Sequence, residues 1–232
     1  MCYHSVVTSD GLTFEAPRNG DDKYRFGTDS FYASIGRAFV AMCAIVPVLF
    51  LIELFDQLTG ERLDTAGGIH PHHIDGLDGI VFAPLLHGSF EHVLANSIPL
   101  ILLGTFVLAS GGKRFVLTTV FIALVSGLGV WFTGDSNSVV VGASGIVFGY
   151  LGVLLMRGIV ERSWWHIAVG LLIGLLYGWQ VLPGVIPNDE RISWQAHLFG
   201  FIGGVVAAIL FRRRRPRPVK GPPAIESLPD VT

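Results

Sequence analysis

Val139-Val140-Val141-Gly142-Ala143-Ser144-Gly145-Ile146-Val147-Phe148-Gly149-Tyr150 is an apolar, glycine-rich stretch with one hydroxyl at the mouth of a helix. Glycines 142, 145, 149 and 152 recur at offsets of three, four and three, which lines them along one helical face. A bare face of this kind lets helix backbones approach closely in lipid. His197, Gly200, Gly204 and Ala207 repeat the same offsets in a second apolar run. Packing the two faces together would set Ser144 beside His197. Helix packing alone accounts for the glycines, but it does not call for a hydroxyl on one groove and an imidazole on the other.

The rest of the chain has a membrane composition. Of its 232 residues 51% are hydrophobic and 15% charged, with a mean hydropathy of +0.58; a soluble domain carries about a quarter charged residues. The net charge of -2 says little, and nothing points to nucleic acid. Cys2 and Cys43 predict neither a disulfide nor a cysteine metal site. Residues 1–34 read as a polar tail made basic by Arg18, Lys23 and Arg25, without the apolar core of a signal peptide. Apolar runs at about 35–55, 91–109, 115–132, 142–156, 165–182 and 194–211 predict an all-α bundle of six spans, since ~20 residues cross a ~30 Å core. The acidic connection between the first two holds an apolar piece, Ile80 to Leu86, that Pro84 breaks and that is too short to cross, so it is expected at the interface or packed against the bundle. Residues 212–232 form a basic, Pro-rich tail, and Arg212 to Arg215 are expected to meet anionic lipid headgroups. Six spans leave both termini on one side. If that side is cytoplasmic it holds every Lys and Arg except Arg62 and Arg191, which predicts N-in, C-in.

In that topology the second, fourth and sixth spans enter from outside, and each carries polar residues in its first turns. These are His92 and Asn96, Ser144, and His197. The fourth run is short, ~22 Å for fifteen residues, so Ser144 is expected to lie below the surface in a water-filled cavity. A serine hydroxyl attacks only when a base takes its proton, and a histidine near neutrality can do so. With no Asp or Glu at that depth, the pattern predicts a Ser144–His197 dyad without a carboxylate. Phe148, one turn on, either stacks on the imidazole or is a core aromatic. His92 and Asn96 share a helix face at i and i+4, and either donate to an oxyanion with the Ser144 N–H or bond structurally. His87 is expected to anchor the incoming loop. His70-Pro71-His72-His73, in what reads as a mobile loop, lacks a spaced carboxylate or thiol, so no metal or cofactor is expected. His-Glu-x-x-His is absent, and Ile146 breaks Gly-x-Ser-x-Gly.

Gly142-Ala143-Ser144-Gly145, Ala196-His197-Leu198-Phe199-Gly200 and the run from His87 through His92 to Asn96 together resemble the rhomboid intramembrane serine proteases, in order and in the span each occupies. The resemblance covers about residues 35–211 and implies a six-span prokaryotic form in a bacterial-type plasma membrane. It implies Ser144 and His197 as the dyad, with His92, Asn96 and the Gly142 position lining the oxyanion site and Gly145 and Gly200 structural beside it. Transmembrane proteins are the substrates it implies. The family's Trp-Arg pair in the first outer loop is replaced by Asp78-Gly79, so that loop must be anchored differently. Two other readings keep the fold without proteolysis. One is a chaperone-like protein that binds membrane clients. The other is a transporter, against which stand the lack of an inverted repeat and of a charged midplane residue.

Overall fold

The computed structural model describes residues 5–7, 13–15, 27–161, 164–181 and 193–212. The expected loop from Pro183 to Arg191, Arg213 to Arg215 and the C-terminal tail lie outside them. Two short antiparallel strands, β1 (Ser5–Val7) and β2 (Thr13–Glu15), stand in the N-terminal tail, where no element is predicted.

Eight helices follow among the described residues: α1 Asp29–Thr59, α2 Arg62–Gly67, α3 Gly79–Phe82, α4 Phe90–Ala109, α5 Gly112–Thr133, α6 Ser144–Val160, α7 Trp164–Val181 and α8 Trp194–Leu210. α1, α4 and α5 are long and apolar enough to cross a membrane, and α6 and α8 are shorter apolar helices. α1 begins earlier and ends later than its apolar run. Thr28 caps its start by accepting from the N–H of Phe31 at 3.2 Å, and Gly60 closes it in the left-handed region. α6 is ~26 Å long, still under a ~30 Å core.

α8 sits between α5 and α6 and packs most extensively on α6. Backbone approach makes this possible. A Cβ on Gly200 would collide with the Gly145 carbonyl and one on Gly204 with the Gly149 carbonyl, so the predicted glycine faces do meet. Gly142 does not belong to that face. It precedes α6 with φ +123°, a conformation that a helix excludes and that glycine alone adopts readily.

α4 bridges the pair to α1 through a core of Met42, Leu49, Val93, Leu103 and Val107. Outward faces stay apolar, with Val40, Leu51, Val116 and Leu175 exposed, as hydrocarbon rather than water would require. At the end of the bundle away from Ser144, Arg157 is wholly buried and donates to the Ser110 hydroxyl at 2.8 Å. Beside it Arg114 pairs with Glu161 at 2.6 Å. Burial pushes the Glu161 carboxyl up, but the hydrogen bond and charge of Arg114, with Arg157 and His166 nearby, outweigh it and hold the group below the usual range.

Candidate active site

The segment between α1 and α4 is a hydrogen-bonded scaffold, and the His70–His73 stretch that reads as a mobile loop is bonded into it. Asp56, buried near the end of α1, accepts the N–H groups of Leu63 (2.6 Å) and Asp64 (3.3 Å) and so seats the start of α2. The chain then runs to Ile69, which exchanges both backbone bonds with Val140 at 2.9 and 3.0 Å. His72 donates its N–H to the carbonyl of Trp131, and the Trp131 indole donates to the His73 carbonyl at 2.7 Å. The rings of His70 and His72 bond the carbonyls of Thr65 and Gly134. This is how the loop is held with Asp78-Gly79 in its sequence.

Asp64 makes the seat of α2 sensitive to protons. Burial, then the charges of Asp56 and Glu53, a hydrogen bond with Asp56, and Glu61 push its carboxyl up to about 7. An unfolded Asp titrates near ~3.9. Between those values the folded chain keeps a proton that the unfolded chain has released. Stability is therefore greatest at acid pH, falls as pH rises toward about 7 and levels off above it. The melting temperature in detergent is expected to fall from about pH 5 to about pH 7, and Asp64→Asn to flatten that slope. An identical slope in Asp64→Asn would refute this.

The same scaffold fixes the turn before Ser144. The Gly142 N–H donates to the Ala83 carbonyl at 2.8 Å, and the Ala143 N–H donates to His87 Nε2 at 3.4 Å. His87 is buried, and burial, with the His92 ring beside it, pushes its pKa down to about 4. A neutral imidazole has a free lone pair for that N–H. The His87 and His92 rings meet edge to face at 5.1 Å. His92 in turn lies against Gly142, where a Cβ would stand 2.7 Å from its Cε1. Ser89 caps α4 by accepting the His92 N–H at 3.2 Å. Asn96 is buried one turn on and donates Nδ2 to the His92 carbonyl at 3.1 Å.

Ser144 is the first residue of α6. Its neighbour Gly145 touches Gly200, one turn below His197 on α8. The buried His197 imidazole stacks on Phe148 with centroids 4.1 Å apart and planes 6° from parallel. A serine at a helix start, a buried imidazole on the packed neighbour, and His92 against the intervening turn form a cluster that could exchange a proton and stabilise an anion. The profile of the Rhomboid domain matches residues 76–214, which contain all of it. The chain belongs to the rhomboid family. It is an integral membrane protein of a family whose members are generally intramembrane serine proteases.

Relatives agree with the rhomboid assignment. The chain is 44% identical over 173 residues to Uncharacterized protein Rv1337 of Mycobacterium tuberculosis, covering 71% of each. It is 30% identical over 163 residues to the Bacillus subtilis protein named "Putative rhomboid protease YdcA", covering 70% of this chain and 77% of that one. RHOMBOID-like protein 1 of Arabidopsis thaliana is 27% identical over 156 residues, 64% of this chain and 37% of its own.

Two parts of this rhomboid site carry no signal in the sequence. One is the set of backbone bonds from Ile69 and Ala83 to the Ser144 turn. The other is the bond that the Ser126 hydroxyl of α5 donates to the carbonyl of Ala196, the residue before His197, at 2.9 Å.

Proposed function

We propose that this rhomboid is an intramembrane serine endopeptidase that crosses a bacterial-type plasma membrane six times with both termini cytoplasmic. It cleaves transmembrane or membrane-adjacent segments of other proteins. Ser144 Oγ attacks the scissile carbonyl while His197 accepts its proton. The oxyanion receives hydrogen bonds from His92, from Asn96 and from the Ser144 N–H at the open start of α6. His197 then protonates the departing amine, and water, deprotonated by His197, releases the acyl group from Ser144. Gly142 admits His92 to the turn, and Phe148 holds the imidazole by its face. Arg212 and the arginines after it lie among anionic headgroups on the cytoplasmic side.

The observation that carries this reading is the His197 ring stacked on Phe148, one turn beyond Ser144, where α6 and α8 touch backbone to backbone. A serine-directed fluorophosphonate tests it. Wild-type protein in detergent is expected to carry the label on the peptide containing Ser144, and His197→Ala to lose it. A wild-type protein that stays unlabelled would favour a client-binding role instead.

A further inference from the structure

Hydroxyls in apolar helices usually bond back to a carbonyl of their own helix. Ser97, Thr105, Thr119 and Thr133 all do so here, to Val93, Ile101, Phe115 and Gly129. Ser126 does not. Its buried hydroxyl crosses from α5 to α8 and donates to the Ala196 carbonyl at 2.9 Å.

That carbonyl belongs to the peptide unit joining Ala196 to His197. The unit is planar, so fixing its oxygen fixes the direction in which the His197 Cα leaves it. The other side of Ala196 is held as well, because its N–H donates to the capping Ser193 hydroxyl at 3.3 Å. The Ser126 hydroxyl also fills the space beside Gly145: a Cβ there would run into it and come within 3.3 Å of the Ala196 carbonyl. One hydroxyl therefore touches the residue after Ser144 and the residue before His197. α5 grips the same turn of α8 twice more, through Gln195 Nε2 on the Thr133 carbonyl at 3.3 Å and through the Phe199 ring against Gly129.

We propose that Ser126 is a positioning residue: by holding the Ala196 carbonyl against Gly145 it sets the rotation of the first turn of α8, and with it the approach of His197 to Ser144. The inference rests on the dyad reading. Displacing a reacting group by about 1 Å can cost on the order of 100-fold in rate.

The test compares Ser126→Ala, Ser126→Thr and Thr105→Val in proteoliposomes. The readouts are cleavage of a transmembrane reporter, the rate of phosphonate labelling at Ser144 and the melting temperature. Ser126→Ala is expected to lose about 10-fold or more in kcat and in labelling rate together. Its KM should stay within about twofold of wild type, and its melting temperature close to it. Ser126→Thr, which keeps the hydroxyl, recovers most of the loss. Thr105→Val, which removes the hydroxyl of another buried residue that bonds only within its own helix, leaves kcat unchanged. Wild-type kcat in Ser126→Ala overturns the proposal. So does a loss matched by Thr105→Val or by a fall in melting temperature, either of which shows a general packing role. Undiminished cleavage by Ser144→Ala removes the dyad reading itself, independently of anything seen at Ser126.

Discussion

Ser144→Ala is expected to abolish cleavage of a transmembrane reporter in proteoliposomes, a loss of at least about 10³-fold in kcat, while the protein still folds and inserts. The substitution removes the hydroxyl oxygen and nothing else from the turn. Alanine is the best helix former, so the start of α6 keeps its shape and its backbone N–H still points where an oxyanion would form. The bonds that hold the turn come from Gly142 and Ala143 to Ala83 and His87, and none of them involves the Ser144 side chain. What remains is a site that can bind and polarise a carbonyl but has no nucleophile. In soluble serine proteases such a remnant falls several orders of magnitude short of the intact enzyme. Reporter cleavage and a thermal melt on the same preparation check this. Wild-type turnover by a folded Ser144→Ala would end the proteolytic reading.

Gly204→Val is expected to disrupt the bundle more than any surface change. A Cβ at this position lands on the Gly149 carbonyl, with the Gly149 Cα behind it. A flexible side chain could move aside, but a helix backbone can yield only if α8 shifts away from α6. Overpacking a core costs about 1–3 kcal/mol where neighbours can adjust, and rigid neighbours put this substitution at or above the top of that range. The shift would also pull His197 from Phe148, two turns up the same helix. The expected result is a melting temperature lower by several degrees and activity near background. Gly112→Ala is the control, since a Cβ there meets nothing within 4 Å and the helix start tolerates it. Equal melting temperatures for the two variants would show that the α6–α8 contact is looser than described.

Much of this arrangement could be read from residue order. Gly145 and Gly149 on α6 and Gly200 and Gly204 on α8 announce a close helix pair, because only glycine spares the room and only a helical repeat gives that spacing. Residue order leaves Phe148 either stacking on the imidazole or packing in the core, and the structure shows the stack on His197. Gly142 misleads for the opposite reason. It keeps the helical offset but serves a left-handed turn, and spacing cannot tell the two uses apart. The segment from Gly60 to Ser89 was least legible. Much of it is held by backbone carbonyls and N–H groups, which every residue carries and which composition therefore cannot reveal. Asp56, Trp131 and the His70 and His72 rings add side-chain bonds. Ser126 escapes notice because its partner lies 70 residues away.

The way that segment grips the Ser144 turn has a bearing on how such chains can diverge. Ile69 with Val140, and Ala83 with Gly142, are joined through main-chain atoms. Except at Gly76 and Gly79, where a Cβ would strike the backbone of His70 and Gly68, side chains between the two clasps can therefore drift without breaking them. Chain length there cannot, because one inserted or deleted residue would throw both clasps out of phase at once.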